Sequence, residues 1–489
     1  MPAHMSVSVI GAGAWGTALA EVAARAGRKV TLYARNAGHA ARIEATRVNP
    51  KLTGVQLQPG IAVTSDISAA ARADIILAVT PAQHLRAAVG HLAPYLEPDT
   101  PVIACAKGID LATGRSPAGM LAAACPGATV AVLTGPQAAL GTHLRDGFLL
   151  GLKHLENRLG GLPAEVVVID DELRPEVAVQ KVRAALERDR VDFVVGVVFS
   201  NILAAVMRPV TEANTFLVST NAGPSTFAGR GCNPFFFTTS YNNDQVHSVM
   251  GQAAQDDGRR RVFLLTPNYQ AGRDAMAGFK SRFRGEVVDE VYVPLDTRDF
   301  SAELARIAAA KPDALFTFMP GGLGVTLVRQ YRQAGLADIP FLSTFTVDEA
   351  TLPAQGEAAL GFYSAAPWAP DMDNPQNKRF VSDFEAAYNY VPASYAAQSY
   401  DAANLLDSAV RRVNGNLSDK SALREAIRAA DFRSVRGPFR FGANHYPVQD
   451  FWLCHVARRP DGRFQTETVR RVLEANVDPY AAECRMRTA

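Results

Sequence analysis

In "SVSVIGAGAWGTALAEVAARAGRKVTLYAR" the glycines Gly11, Gly13 and Gly16 follow an apolar stretch and open an alanine-rich run. That order of residue types suits a diphosphate. Gly11 permits a tight turn, Gly13 lets the backbone approach the phosphates, and Gly16 lets a helix pack close to a strand, while the helix N-terminus offers amides to the negative charge. The spacing alone is a weak signal, but here it sits inside a complete strand, turn, helix, strand unit. An acid for the ribose hydroxyls normally ends the second strand. This sequence has Arg35 and Asn36 there, so NADP is as compatible as NAD. Lys107 follows the strand in "PVIACAKGID", at the carboxyl edge where open α/β sheets take their ligands. Position alone leaves it open between a contact to an anionic substrate or cofactor and a solvated loop lysine.

A second set of polar residues lies further on, at the ends of apolar stretches. "VVFSNI" carries Ser200 and Asn201 just before a helical pattern, and "LVSTNAGPS" carries Ser219, Thr220 and Asn221. Hydroxyls and free helix amides in such turns suit a carboxylate without any lysine or arginine; Ser200 and Asn201 are equally readable as plain N-caps. "TPNYQAGRD" and "TFMPGG" place Asn268, Tyr269, Phe318 and Met319 where they could form an opposite wall.

The elements that must position these residues alternate throughout. Strands are expected at residues 6–10, near Arg35, at 73–79 and in "PVIACAKGID", and later in "AEVVVID", "DFVVGVV", "TFLVST", "RVFLLTP", "ALFTFM" and "PFLSTF". "GPQAALGTHLRDGFLLGLKHL" has Leu140, Leu144, Phe148, Leu152 and Leu155 at helical spacing. Strand and helix in alternation indicate parallel α/β layers. A chain of 489 residues with 48% hydrophobic content is too long for one ordinary domain. With 50 basic and 48 acidic residues it gives no reason to expect nucleic acid or an anionic membrane as partner. The cluster Arg259, Arg260 and Arg261 reads as a solvated turn. Five cysteines, Cys105, Cys125, Cys232, Cys454 and Cys484, lack metal-like spacing, and no metal site is expected. A disulfide among the last three and buried free thiols are both open. No apolar run suggests a spanning helix or a leader's core, so the sequence as written reads as cytoplasmic.

Two families are resembled. "GAGAWGTALA", "VTLYARN", "PGIAVTSD", "DIILAVTPAQHLR", "VIACAKGID" and "AVLTGP" resemble, in order and spacing, the N-terminal domain of bacterial NAD(P)-dependent glycerol-3-phosphate dehydrogenase. The resemblance implies a Rossmann domain over residues 1–134 that binds NAD or NADP through Gly11, Gly13, Trp15, Gly16 and Arg35, with Lys107 facing substrate or cofactor. Nothing after it matches that family's helical catalytic domain. From residue 135 to 489, "GPQAALGTHLRDGF", "DFVVGVVFSN", "STNAGPSTFAG", "NPFFFTTSYNND", "PNYQAGRDAMAGFK", "AAQSYDAANLL" and "GPFRFGANHYPVQDFW" resemble type I solute-binding proteins of ABC importers, in the branched-chain amino acid and aromatic carboxylate branch. That implies a two-lobed periplasmic-binding-protein fold. Ser200, Asn201, Ser219, Thr220 and Asn221 would hold a ligand carboxylate, with Tyr241 near the cleft and Tyr269 and the Phe318 loop closing from the second lobe. Asp348 would meet an amino acid's ammonium, or else cap the helix starting "DEATL", in which case an aromatic or aliphatic acid is as suitable a ligand.

The expected function is therefore binding of a small carboxylate, with an ABC permease as partner if the chain is exported, since that family is normally periplasmic. The alternative is glycerol-3-phosphate dehydrogenase activity, with little or no turnover expected because hydride transfer needs cofactor, substrate and proton donor together. A sensor coupling nucleotide occupancy to the cleft would require each binding event to change the other's affinity. Oligomeric state is not readable. Both families need a strand at "AVLTGP", and the chain has one copy. A lost central strand would expose a long apolar edge in the binding lobe, so we expect the strand to join that lobe and leave the nucleotide domain one strand short.

Overall fold

The structure is a computed structural model that describes residues 6–52, 54–97, 100–105, 129–132 and 136–486. Internal packing divides the chain into Met1–Gly135 and Pro136–Ala489. The first unit runs β1 (Ser6–Ile10), α1 (Ala14–Arg25), β2 (Lys29–Tyr33), α2 (Ala37–Thr46), β3 (Ile61–Thr64), α3 (Ile67–Ala70), β4 (Ile75–Ala78), α4 (Ala82–Leu92), β5 (Pro101–Ala104) and β6 (Thr129–Val132). Its six strands are parallel in the order β3-β2-β1-β4-β5-β6. This is the doubly wound order, with the crossover between β1 and β4 opening a ligand crevice at their carboxyl ends. Alternation along β1 explains its place in the middle: Val7 and Val9 belong to one core and Ile10 to the other.

β6 overturns one expectation. The strand that begins the "AVLTGP" stretch pairs with β5 over four residues, Pro101↔Thr129 to Ala104↔Val132, so it belongs to the nucleotide sheet. The binding lobe is the one left short. In the second unit α5 (Pro136–His154) is followed by a small hairpin, β7 (Arg158–Leu159) and β8 (Leu162–Pro163), then α6 (Pro175–Ala184), β9 (Phe193–Gly196), α7 (Ser200–Glu212), β10 (Phe216–Ser219) and β11 (Phe236–Thr238). The first-lobe sheet has three strands in the order β11-β10-β9. "AEVVVID", expected as a strand, has no ladder partner among the described residues, and Val166, Val167 and Val168 are exposed. Their β-branched side chains favour a strand, but a strand is only stable when another lies beside it.

Crossing into the second lobe, the chain forms α8 (Asn243–Asp256), β12 (Arg261–Pro267), α9 (Gln270–Arg282), β13 (Glu286–Val293), α10 (Ser301–Ala310), β14 (Ala314–Thr317), α11 (Gly322–Gln333), β15 (Phe341–Ser343), α12 (Leu352–Gln355) and β16 (Tyr363–Ala366). Three helices, α13 (Pro375–Tyr388), α14 (Ser394–Arg412) and α15 (Lys420–Ala429), precede β17 (Arg440–Phe441), β18 (Pro447–Arg458) and β19 (Phe464–Asn476). β12 to β16 form a parallel sheet to which β18 and β19 add antiparallel. It is buried on both faces, so β12 is apolar at nearly every position: Val262 and Leu264 pack on one side, Phe263 and Leu265 on the other. α14 returns to the first lobe, where Ala402, Leu405 and Leu406 pack against Phe216, Val218 and Phe237. Gly147 and Gly151 let α5 approach α14; a Cβ on Gly147 would lie 2.1 Å from the Ala396 carbonyl oxygen.

Two covalent or ionic ties hold the last crossing. Cys232 and Cys484 form a disulfide, while Cys105 and Cys454 are buried free thiols. Asp401 on α14, wholly buried, is paired with Arg436 at 2.9 Å and also accepts from the Ser434 hydroxyl and the Val435 amide. Arg436 in turn reaches Gln449 on β18 at 2.7 Å. Removing one partner leaves a buried charge alone, so Arg436→Ala should cost about 3–5 kcal/mol in urea unfolding of the full chain. Replacing both, Asp401→Leu with Arg436→Met, should recover much of that loss.

Candidate functional site

The site of the second unit is built from the ends of its parallel elements. Between its two lobes lies a cavity that is partly open to solvent. Ser200, the first residue of α7, Asn221 after β10 and Tyr241 at the crossing line one side. Tyr269, Phe318 and Phe345 line the other, and Tyr395 of α14 closes the back. Four helices begin at this cavity. α7 starts after Phe199 and α9 after Tyr269, neither with a side chain capping its first turn. Asn243 opens α8, and Pro320 precedes α11. Their first-turn amides carry partial positive charge toward the space they surround.

Among the described residues no lysine, arginine, aspartate or glutamate lines this cavity. Its one imidazole, His247, is held by the Thr344 hydroxyl, and burial pushes its pKa down to about 3, so it is neutral. Burial raises the Tyr241, Tyr269 and Tyr395 hydroxyls above their ordinary range, keeping all three protonated. Aromatic rings stack in layers: Tyr241 on Phe345 at 4.9 Å between centroids, and His247 edge-on to Phe318 at 4.9 Å. An uncharged cavity of flat faces, protonated hydroxyls and helix amides can take a planar molecule bearing one carboxylate.

Hydrogen bonds fix the polar rim. Asn221 donates to the Val198 carbonyl at 2.6 Å and accepts from the Tyr241 hydroxyl at 2.8 Å. Asn243 spans the lobes, donating to Ser200 Oγ at 3.1 Å and to Asp274 at 2.9 Å. Of the residues singled out from sequence, Ser200, Asn221, Tyr241, Tyr269 and Phe318 lie together on this cavity. Ser219 and Thr220 are buried behind it: Ser219 donates to the Ala222 carbonyl, and Thr220 Oγ1 has no protein partner. Asn201 is exposed on α7, Asn268 is exposed, and Met319 is in the second-lobe core.

Asp348 is not on the cavity wall. It is buried beside Tyr395, and its Oδ1 accepts from the Ala350 amide at 3.0 Å and the Thr351 hydroxyl at 3.3 Å, in the turn that precedes α12. Desolvation pushes its pKa up to about 6. Neighbouring Glu349, which accepts from the Thr466 amide and hydroxyl at 2.7 Å each, is pushed up to about 7 by burial first. His247, Asn243, Phe345 and Tyr395 escape a sequence reading because each sits inside a stretch that reads as ordinary core or helix start.

In the first unit the glycine turn has the geometry of an anion cradle. Gly11 has φ +125°, and a Cβ there would lie 2.4 Å from the Val79 carbonyl; one on Gly16 would lie 1.9 Å from the Gly11 carbonyl. Gly13, the N-cap of α1, has no atom within 4 Å of a Cβ position and no side chain capping the helix. The space a Cβ would fill is open, which is what close approach of a diphosphate requires. Asn49, fully buried, braces the turn by donating to the Ala12 carbonyl at 3.2 Å and Thr17 Oγ1 at 2.6 Å. Trp15 and Arg35 are exposed, and Asn36 caps α2. Lys107 lies outside the described residues. Among the described residues no group of three or more His, Cys, Asp or Glu could hold a metal ion.

A family profile described as periplasmic binding protein matches residues 128–462. The chain belongs to the periplasmic binding protein family. A benzoate-bound ABC transporter solute-binding protein from R. palustris shares 31% identity and a TM-score of 0.68, covering 72% of this chain and 97% of that one. A second, from Rhodopseudomonas palustris BisB5 in complex with 3,4-dihydroxybenzoic acid, shares 28% with a TM-score of 0.65, covering 71% and 96%. A Leu/Ile/Val-binding protein homolog of Brucella melitensis is 26% identical over 71% of this chain and 90% of its own length. The N-terminal region of this periplasmic binding protein matches a different profile, NAD-dependent glycerol-3-phosphate dehydrogenase N-terminus, over residues 6–143. There it is 60% identical to a glycerol-3-phosphate dehydrogenase of Bradyrhizobium sp. (strain ORS 278), covering 27% of this chain and 41% of that enzyme. The protein is thus a fusion, and it spans under half the length of the dehydrogenases it matches. Among the described residues no helix is long and apolar enough to cross a membrane.

The buried acids give the second unit a pH dependence with a defined sign. Asp348 and Glu349 bind protons in the folded chain that the unfolded chain releases between about pH 4 and 7. Their contribution to stability is present below pH 4 and is lost as pH rises through 6 to 7, by at most about 1.4 kcal/mol per pH unit for each group. Urea unfolding at pH 5, 6 and 7 should show Glu349→Gln losing less stability than the parent chain as pH rises.

Proposed function

We propose that the second unit binds a small aromatic carboxylate by closing its two lobes, and works with an ABC permease as its family does. The observation that carries this is a cavity with stacked aromatic faces and helix N-termini at its wall but, among the described residues, no charged side chain there. An α-amino acid would bring an ammonium group. Asp348 lies behind Tyr395 rather than on the wall, with its Oδ1 held by its own turn, so among the described residues no charged side chain of the wall meets that charge, and desolvating it without a partner is costly. The solved relatives named for benzoate and dihydroxybenzoate point the same way. Ser200 and the α7 amides would take the carboxylate, with Tyr269 and Phe318 covering the ring from the second lobe. The Cys232–Cys484 disulfide favours an oxidising compartment such as the periplasm.

For the first unit the reading is narrower: the glycine cradle holds the diphosphate of NAD or NADP. Such a cofactor supplies hydride-transfer chemistry when bound, but the likeness covers only 41% of the dehydrogenase's length. Dehydrogenation of glycerol 3-phosphate is therefore not proposed.

Isothermal titration with benzoate, 4-hydroxybenzoate and leucine tests the ligand. Aromatic acids should bind at least about tenfold tighter than leucine; the reverse order would sink the reading. Ser200→Ala should weaken 4-hydroxybenzoate about 10- to 100-fold, the range for losing a hydrogen bond to a charged group. For the cradle, Gly13→Ala should leave the unliganded melting temperature unchanged, because nothing crowds its Cβ, yet abolish the upward shift that NADH gives the parent chain. A variant that still shifts would exclude a phosphate at Gly13.

A further inference from the structure

The imidazole of His247 on the cavity wall uses only half of its hydrogen-bonding capacity. The residue belongs to α8, is 2% exposed and lines the cavity of the second unit. Its Nδ1 is bonded to the Thr344 hydroxyl just past β15. Its Nε2 has no partner among the described residues and yet is not sealed in the core, so it opens on the cavity. Packing fixes the direction in which that nitrogen points. The ring stands edge-on to Phe318 at 4.9 Å and to Phe316 at 6.2 Å between centroids, and α9 lies close behind it: a Cβ on Gly278 would come 3.0 Å from His247 Cβ. Burial keeps the ring neutral. A threonine hydroxyl can donate to Nδ1 or accept from it, so Nε2 can meet a ligand group either as acceptor or as donor.

Position along α8 says which part of a ligand this nitrogen meets. Asn243, the first residue of the helix, donates to Ser200 Oγ at 3.1 Å, at the end of the cavity assigned above to the carboxylate. His247 follows four residues later on the same helix face, about 6 Å further along the axis. That is close to the span between the carboxyl carbon and the para oxygen of a hydroxybenzoate. Two other wall hydroxyls are already engaged, Tyr241 with Asn221 and Tyr395 with Asp348. Lobe closure strips water from Nε2, so a ring carrying only hydrogen or methyl at that point would leave the nitrogen buried and unpaired.

We propose that Nε2 of His247 selects aromatic acids bearing a hydroxyl para to the carboxylate. The inference rests on the aromatic-carboxylate reading above and adds the substituent. A phenol hydroxyl both donates and accepts, as this imidazole does, which makes the pair complementary in either tautomer.

Isothermal titration of the full chain with 4-hydroxybenzoate, 4-methylbenzoate and benzoate tests it. Methyl matches hydroxyl in size but makes no hydrogen bond, so 4-hydroxybenzoate should bind at least about tenfold tighter than either of the others. In His247→Phe that advantage should shrink below about threefold while benzoate affinity is kept; Tyr269→Phe should preserve the advantage. In nitrogen NMR spectra of the parent chain with labelled histidine, one Nε2 signal should move with 4-hydroxybenzoate and stay with 4-methylbenzoate, a readout that does not depend on any variant folding. Equal affinities of the parent chain for the three acids, or an advantage that survives in His247→Phe, overturn the proposal while the aromatic-carboxylate reading stands. Loss of benzoate binding in a folded His247→Phe overturns it too, since the imidazole would then hold the carboxylate. If none of the three acids binds the parent chain, both readings fall together.

Discussion

A β-strand can occupy one sheet at a time, and much of this molecule follows from that restriction. Two α/β units need a strand at the same four residues, and Thr129–Val132 completes the parallel order of the first. The second unit answers by leaning on other contacts. Its first lobe keeps a three-stranded sheet whose inner faces are covered by α7 on one side and by α14 and α15 on the other. Its second lobe has a sheet buried on both faces and carries most of the large aromatic core. The weakness is thereby confined to one edge, where β9 and the valines of 166–168 meet water.

The cavity is governed by a different economy of charge. Side chains there are neutral by desolvation: the imidazole loses its proton and the phenols keep theirs. Positive potential comes instead from backbone dipoles at helix starts, which need no counter-ion and cannot be titrated away. Asn243 makes this electrostatic arrangement a mechanical one as well, because its amide touches Ser200 of one lobe and Asp274 of the other. Small relative shifts of the lobes therefore register at the polar rim before any ligand is fully enclosed.

Local patterns were readable in the residues; distant convergence was not. The glycine cradle is legible because its three positions act within one turn, and the alternation of β12 betrays a strand buried on two faces. Ser200 and Asn221 were legible as polar residues at strand ends. Phe345 and Tyr395 were not, since their stretches read as core and only the fold brings them to one wall with the distant Ser200. The strand expected at "AEVVVID" failed for a related reason: β propensity describes a side chain's fit to a neighbour, and among the described residues that stretch has none. The same allocation reversed the expected owner of the "AVLTGP" strand.

The disulfide between Cys232 and Cys484 joins residues 252 apart and so makes a covalent ring containing the entire second lobe and the three helices that return to the first. Tension applied at the two ends of the chain would pass through that bond and bypass everything inside it. The second lobe is therefore shielded from pulling: under load the chain could lengthen only outside the ring, beginning with the nucleotide unit, while the wall that carries Tyr269, Phe318 and Phe345 felt no force at all.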